Sequence, residues 1–149
     1  MFSGRFDHTI DEKGRVSIPV RFREVLQREN HDRLYITSFK EGGQPCLDAY
    51  LPNEWEKVVE KFQNKRMFDP NVGGFEMFYV GGAHEVPVDR QGRILIPPKL
   101  REFAHLGHEV TFSAKHNRFQ LWDKATLEQL LKSVEEQLNN PEFLEKLDF

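Results

Sequence analysis

The chain has 149 residues, 38 % of them hydrophobic and 30 % charged, with a formal net charge of −3. That balance is ordinary for a folded globular protein and excludes a low-complexity or collagen-like chain. No apolar run of the ~18 residues needed for a membrane span occurs, and the single Cys46 can form no internal disulfide. Met1-Phe2-Ser3-Gly4-Arg5 leads into patterned sequence without a signal-peptide core, so a cytoplasmic protein is expected.

In chain order, His8-Thr9-Ile10 and Val16-Ser17-Ile18 read as short strands joined by a tight turn at Gly14, where positive φ carries no Cβ penalty. Pro19 closes the second strand, because proline lacks the ladder donor and suits a first helical turn. A short helix with Phe22, Val25 and Leu26 inward follows, then strands at Leu34 to Phe39 and Cys46 to Tyr50. In that strand Cys46 reads as an inert buried thiol. Trp55, Val58, Val59 and Phe62 recur at i, i+3, i+4, i+7 and predict an amphipathic helix. Gly73 and Gly74 weaken any helix in the segment after it.

The pattern then repeats. Asp11-Glu12-Lys13-Gly14-Arg15-Val16-Ser17-Ile18-Pro19 returns as Asp89-Arg90-Gln91-Gly92-Arg93-Ile94-Leu95-Ile96-Pro97, shifted by 78 positions, and Arg21-Phe22-Arg23-Glu24 is echoed by Lys99-Leu100-Arg101-Glu102. Strands at Val86 to Val88, Ile94 to Ile96, Val110 to Ala114 and Arg118 to Trp122 match those of the first copy. Leu127, Leu130, Leu131 and Val134 repeat the helical pattern at a shift of 72. Each unit is β-β-α-β-β followed by a helix. Some forty residues cannot bury a sufficient core alone. The two units are therefore expected to interlock about a pseudo-twofold axis into one small α+β body, a β-barrel with helices outside. The divisions are repeat 1 at 5–53, a linking helix and loop at 54–81, repeat 2 at 82–125, and a C-terminal helix and tail at 126–149. Leu127, Leu130 or Leu131, Val134 and Leu138 form an apolar seam that Phe143, Leu144, Leu147 and Phe149 continue past Pro141. It either covers the barrel or joins subunits.

Charge is unevenly placed. Residues 1–23 hold five basic and three acidic side chains, residues 85–101 hold four and two, and the tail from Asp123 holds seven acids against three lysines. Both motif segments are locally basic, which suits nucleic acid, although a solvated mixed-charge surface gives the same counts. Arg15 and Arg93 each start a strand behind a glycine turn, and arginine's planar fork suits phosphate or guanine edges. Lys13, Arg90, Arg21 and Lys99 then fall to phosphate contacts. The competing reading makes Asp11 with Arg15, and Asp89 with Arg93, ion pairs that only close hairpins. Enzyme signatures are lacking: no nucleophile triad, phosphate loop or zinc helix is present, and His105 with His108 make only two metal ligands. Neither a metal nor a cofactor is implied.

The paired D-x-x-G-R motifs, together with Met1-Phe2-Ser3-Gly4, His8-Thr9-Ile10-Asp11, Phe22-Arg23-Glu24, Leu121-Trp122 and Asp148-Phe149, resemble the MraZ family of AbrB/SpoVT-like swapped-hairpin proteins nearly end to end. The resemblance implies a bacterial, nucleoid-associated transcriptional regulator. Its partner is double-stranded DNA, as short direct repeats in the promoter of the division and cell-wall gene cluster that includes its own gene. It also implies a homo-oligomer, a ring presenting Arg15 and Arg93, with Asp11 and Asp89 as motif acids and Gly14, Pro19, Gly92 and Pro97 shaping the turns. Between the repeats, Gly73-Gly74-Phe75-Glu76 stands where family members tend to carry arginines. A protein-interaction scaffold without specific DNA binding is the alternative.

Overall fold

The computed structural model describes residues 1–64 and 69–148. Repeat 1 runs β1 (Arg5–Thr9), β2 (Arg15–Ser17), α1 (Val20–Arg28), β3 (Arg33–Glu41), β4 (Gln44–Tyr50) and α2 (Pro52–Gln63), and α3 (Pro70–Tyr79) follows it. Repeat 2 runs β5 (His84–Pro87), β6 (Arg93–Leu95), α4 (Pro98–Phe103), β7 (Glu109–Lys115), β8 (Arg118–Asp123) and α5 (Lys124–Gln137), with α6 (Pro141–Leu147) at the end. The β-β-α-β-β-helix order of each unit is as the sequence predicts.

The strands exchange partners between the repeats. An antiparallel six-stranded sheet has the order β1-β7-β8-β4-β3-β5, and β2 pairs with β6 in a separate two-stranded ribbon. Thr9 faces Glu109 while Pro87 faces Arg33, and Phe6 faces Phe112 while His84 faces Ile36. Each pair maps onto the other under the repeat shifts. The same symmetry centres the ribbon on Val16 opposite Ile94 and the β4–β8 pairing on Asp48 opposite Gln120. A pseudo-twofold axis therefore runs between these two pairs.

The expected closed barrel does not form. Its edge strands β1 and β5 each lead into a ribbon strand of three residues, and these pair with each other instead of prolonging the sheet. Pro19 and Pro97 then end them, since a proline nitrogen cannot extend a ladder. The sheet stays open, and the ribbon with α1 and α4 covers one side of it. Val16, Ile18, Ile94 and Ile96 are buried there beside Phe22, Leu100, Phe112 and Phe119. Phe2 meets Phe22 and Phe119 edge-on, both at 5.1 Å between ring centres, in the geometry aromatic quadrupoles favour.

The segment after α2 departs from expectation, because α3 is a helix despite Gly73 and Gly74. Asp69 caps it by accepting from the Asn71 N–H at 2.9 Å, and Pro70 takes the first turn. Its aromatics supply the rest: the exposed Phe75 stacks on the buried Tyr79 at 5.1 Å, and Tyr79 lies 6.0 Å from Trp55. Packing outweighs the ~1 kcal/mol that each glycine costs a helix interior.

Along the C-terminal helices the two readings of the apolar seam divide. Leu127 is buried against Trp122 and Cys46, with Leu130 and Leu131 beside it, whereas Val134, Leu138, Leu144 and Leu147 are exposed. Phe149 lies outside the described residues. Cys46 is buried within β4, and burial, reinforced by Asp48, pushes its thiol well above the ordinary range.

Candidate nucleic-acid interface

Each motif builds the same turn. The Asp11 carboxylate accepts from the backbone N–H groups of Lys13 at 3.0 Å and Arg15 at 2.8 Å, and Arg15 Nε donates to its other oxygen at 2.8 Å. In the second copy Asp89 accepts from Gln91 N–H and Arg93 N–H, both at 2.9 Å, and from Arg93 Nε at 3.1 Å. The Arg15 backbone N–H, helped by its guanidinium, holds the Asp11 carboxyl below the usual carboxylate range, and Arg93 does the same to Asp89. Both acids are thus charged wherever the protein is folded near neutrality, and each arginine is fixed by its Nε. Among the described residues, neither Arg15 nor Arg93 uses its terminal nitrogens in a hydrogen bond.

The two turns meet on one ribbon. Ile18 N–H donates to the Gly92 carbonyl and Ile96 N–H to the Gly14 carbonyl, both at 2.9 Å. Arg15 faces Leu95, Val16 faces Ile94 and Ser17 faces Arg93. Strand alternation sends Val16 and Ile94 into the core, so Arg15, Ser17, Arg93 and Leu95 share the outward face.

Two residues without an assigned role in the sequence reading complete the turns. Arg23 of α1 lies over the Gly92 turn and donates from a terminal nitrogen to the Gln91 carbonyl at 3.2 Å. Arg101 of α4 lies over the Gly14 turn, with Cζ 2.7 Å from where a Cβ on Gly14 would stand. Gly14 and Gly92 have φ of +90° and +78°, so each glycine is needed both for its conformation and for the guanidinium resting on it. Each turn is therefore closed by an arginine from the other repeat. The available signal was the identical placement of Arg23 and Arg101 after the two motifs.

The other site candidates are spread more widely. Lys13 and Arg90 are exposed on the turns themselves, and Arg90 borders a cleft with Arg23, His31 and Asp89. Arg21 opens α1 beside Met1 and Arg28, and Lys99 opens α4 beside Lys40 and Glu102; both are exposed but apart from the ribbon face. Pro19 and Pro97 stand immediately ahead of α1 and α4. No group of three or more His, Cys, Asp or Glu side chains among the described residues is placed to hold a metal ion. No described helix is long and apolar enough to cross a membrane.

Comparison with known proteins decides the family. Residues 1–72 and 79–146 match the family model described as "MraZ protein, putative antitoxin-like". The chain belongs to the MraZ family. Among relatives named "Transcriptional regulator MraZ", that of Syntrophobacter fumaroxidans is 41 % identical over 131 residues, covering 88 % of this chain and 85 % of that protein. That of Caldanaerobacter subterraneus subsp. tengcongensis is 37 % identical over 148 residues, covering 99 % and 97 %. That of Acetivibrio thermocellus is 38 % identical over 147 residues, covering 99 % and 96 %. MraZ is a family of transcriptional regulators and not of enzymes.

Proposed function

We propose that this chain is a sequence-specific DNA-binding transcriptional regulator that lays the β2–β6 ribbon against the major groove. The observation that carries the reading is the pair Arg15 and Arg93. They sit on one outward face, each pinned through Nε to its motif aspartate and each with its terminal nitrogens turned to no protein partner among the described residues. A two-stranded ribbon fits a groove about 12 Å wide, and a fixed guanidinium can take guanine O6 and N7 together. Lys13 and Arg90 on the turns, with Arg21 and Lys99 on the flanking helices, serve as phosphate contacts that set register. The exchange of strands between repeats 5–53 and 82–125 is read as the swapped-hairpin arrangement of AbrB/SpoVT-like proteins, which makes the two motifs one rigid reading head.

So few cations per chain give modest affinity, and binding rests on several chains engaging spaced promoter repeats together, so that effective concentration multiplies weak contacts. A ring of subunits supplies that, and the exposed Val134, Leu138, Leu144 and Leu147 on the segment 126–149 give it an apolar surface. The targets are direct repeats ahead of the division and cell-wall genes, the chain's own gene included, which makes the protein cytoplasmic and nucleoid-associated.

The test is a gel-shift titration of wild type and Arg15→Ala against the chain's own upstream promoter and a scrambled duplex, at two salt concentrations. Arg15→Ala is expected to lose promoter binding by at least about tenfold, as for one bidentate base contact, while the oligomer and the melting temperature persist. Wild-type affinity should fall steeply with salt through counterion release. Equal affinity for promoter and scrambled DNA would move the reading to the protein-interaction scaffold.

A further inference from the structure

Most of the ribbon face is polar, yet it carries a large apolar side chain. Leu95 is 54 % exposed, directly across the ladder from Arg15 and one residue beyond the buried Ile94. Strand alternation does not demand a leucine there, because the position points away from the core that Val16, Ile94 and Ile96 fill. Its symmetry mate is Ser17, which stands opposite Arg93 in the same relation. The two halves of the face are therefore alike in their arginines and unlike in the neighbour of each: an isobutyl group beside Arg15, a hydroxyl beside Arg93.

Resting on the DNA reading above, we infer that Leu95 is a base-reading residue that packs on the 5-methyl group of a thymine adjacent to the base contacted by Arg15, and that Ser17 makes the corresponding position of the other half-site a polar one. The chemistry is specific. In the major groove only thymine presents a methyl group, and apolar side chains read it by contact, whereas serine hydrogen-bonds to several base edges. Directly opposed side chains on a ribbon stand ~5 Å apart at Cβ, so Leu95 and Arg15 reach neighbouring base pairs at once. The exposed part of this leucine adds no burial to the fold. On DNA, it removes its own exposed surface and the methyl group from water together. The difference between Leu95 and Ser17 adds to that between Lys13 and Gln91 on the turns in giving the head two distinguishable halves, so the chain reads a directional sequence.

The experiment uses the full chain and its own upstream promoter duplex, with thymines replaced one at a time by deoxyuridine, which removes the methyl group and leaves base pairing unchanged. Wild type, Leu95→Ser and Ser17→Leu are titrated by fluorescence anisotropy, with melting temperature and oligomeric state checked for each. Wild type should lose about three- to fivefold in affinity, the effect of one buried methyl group, at one thymine per repeat unit. Leu95→Ser should bind the unsubstituted promoter more weakly by a similar factor and show no further loss at that thymine. Ser17→Leu should gain methyl sensitivity at a second, symmetry-related position. A deoxyuridine profile of Leu95→Ser identical to that of wild type, or no methyl-sensitive thymine in wild type, overturns the inference while promoter preference and the Arg15→Ala defect still stand. Loss of promoter preference by wild type itself overturns the DNA reading along with it.

Discussion

The two ends of the pseudo-twofold axis have been treated differently. At the ribbon end the repeats keep the residues that build the turn: Asp11 and Asp89 hold Arg15 and Arg93 through the same bonds, and Arg23 and Arg101 cover the opposite glycine turns. At the β4–β8 end the equivalent positions carry different chemistry. Asp48 faces Gln120 across the axis, Cys46 corresponds to Arg118, and Tyr50 corresponds to Trp122. These build a single buried network instead of two copies of one. Asp48 accepts from Gln120 Nε2 at 2.8 Å and from the Tyr79 hydroxyl, stands 3.4 Å from Arg118 Nε, and Tyr50 lies 2.7 Å from Tyr79 between their hydroxyls. Burial, then the Asp48 carboxylate, push the Tyr79 phenol well above its ordinary range, so it stays a donor.

Symmetry is kept where both halves have the same job and lost where one half takes on another. Tyr79 is the buried anchor of α3, whereas α6, the helix that follows α5, buries no residue, and the Tyr79 carbonyl also accepts from Thr37 Oγ1 at 2.6 Å. The network thus fastens the linking helix to repeat 1 and covers α2. Repeat 2 leaves the far half of α5 bare. Duplication supplied a matched pair of turns, and divergence of the opposite end supplied a seat for α3 on one side and an open apolar face on the other.

The sharpest way to break this comparison is at the axis. Asp48→Ala strips the partner from Arg118 and takes from Tyr79 and Gln120 the carboxylate that both donate to, and should cost about 3–5 kcal/mol, as removing one member of a buried charged set does. Gln120→Ala removes a neutral donor from the same place and should cost only about 1–3 kcal/mol. Equal losses in urea melts would mean that Asp48 and Gln120 are not differentiated across the axis as described.

At the ribbon end the matched pair should respond as a pair, with a graded difference. Gly14→Ala and Gly92→Ala both force a side chain to adopt positive φ, at about 1–3 kcal/mol. Gly92→Ala should be the worse, because its Cβ would come within 2.2 Å of Arg23 Cδ, part way along that chain, while Gly14→Ala meets the more movable Arg101 head at 2.7 Å. Thermal melts of the two variants read the order directly, and the reverse order would remove Arg23 from its bracing role.

The smallest effect expected is that of acid. The folded pKa values of Asp11 and Asp89 are depressed, so their contribution is present above the ordinary carboxylate pKa and is lost as pH falls through the lowered folded values. Carboxyl chemical shifts followed downward from pH 7 should show both acids titrating below an unstructured aspartate, and together. Separate midpoints, with one at the ordinary value, would show that the turns are not equivalent.

Much of the candidate interface was legible in the sequence. The spacing of the two D-x-x-G-R motifs placed Arg15 and Arg93 on equivalent strands, and the positive-φ glycines and closing prolines are local requirements that any tight turn imposes. The reading failed where remote groups intervene. Gly73 and Gly74 argue locally against α3, and only the aromatic packing of Phe75 and Tyr79 overrides them. Arg23 and Arg101 look like surface charges until the strand exchange brings each over the other repeat's turn. The closed barrel failed because three-residue strands ending at proline have too few ladder bonds to hold a sheet edge.

By itself the sequence determined the duplication, the order β-β-α-β-β-helix, the family and the turn chemistry, all of which rest on contacts within a few residues or on periodicity along one element. The tertiary structure alone decided which strand pairs with which, and hence that Leu95 stands across from Arg15, that Asp48 meets Gln120 on the axis, and that the sheet remains open. Those outcomes depend on register between segments tens of residues apart, where one residue of slip turns every side chain to the opposite face. Local propensity carries no record of that choice; the burial of Val16, Ile94 and their neighbours in one shared core makes it.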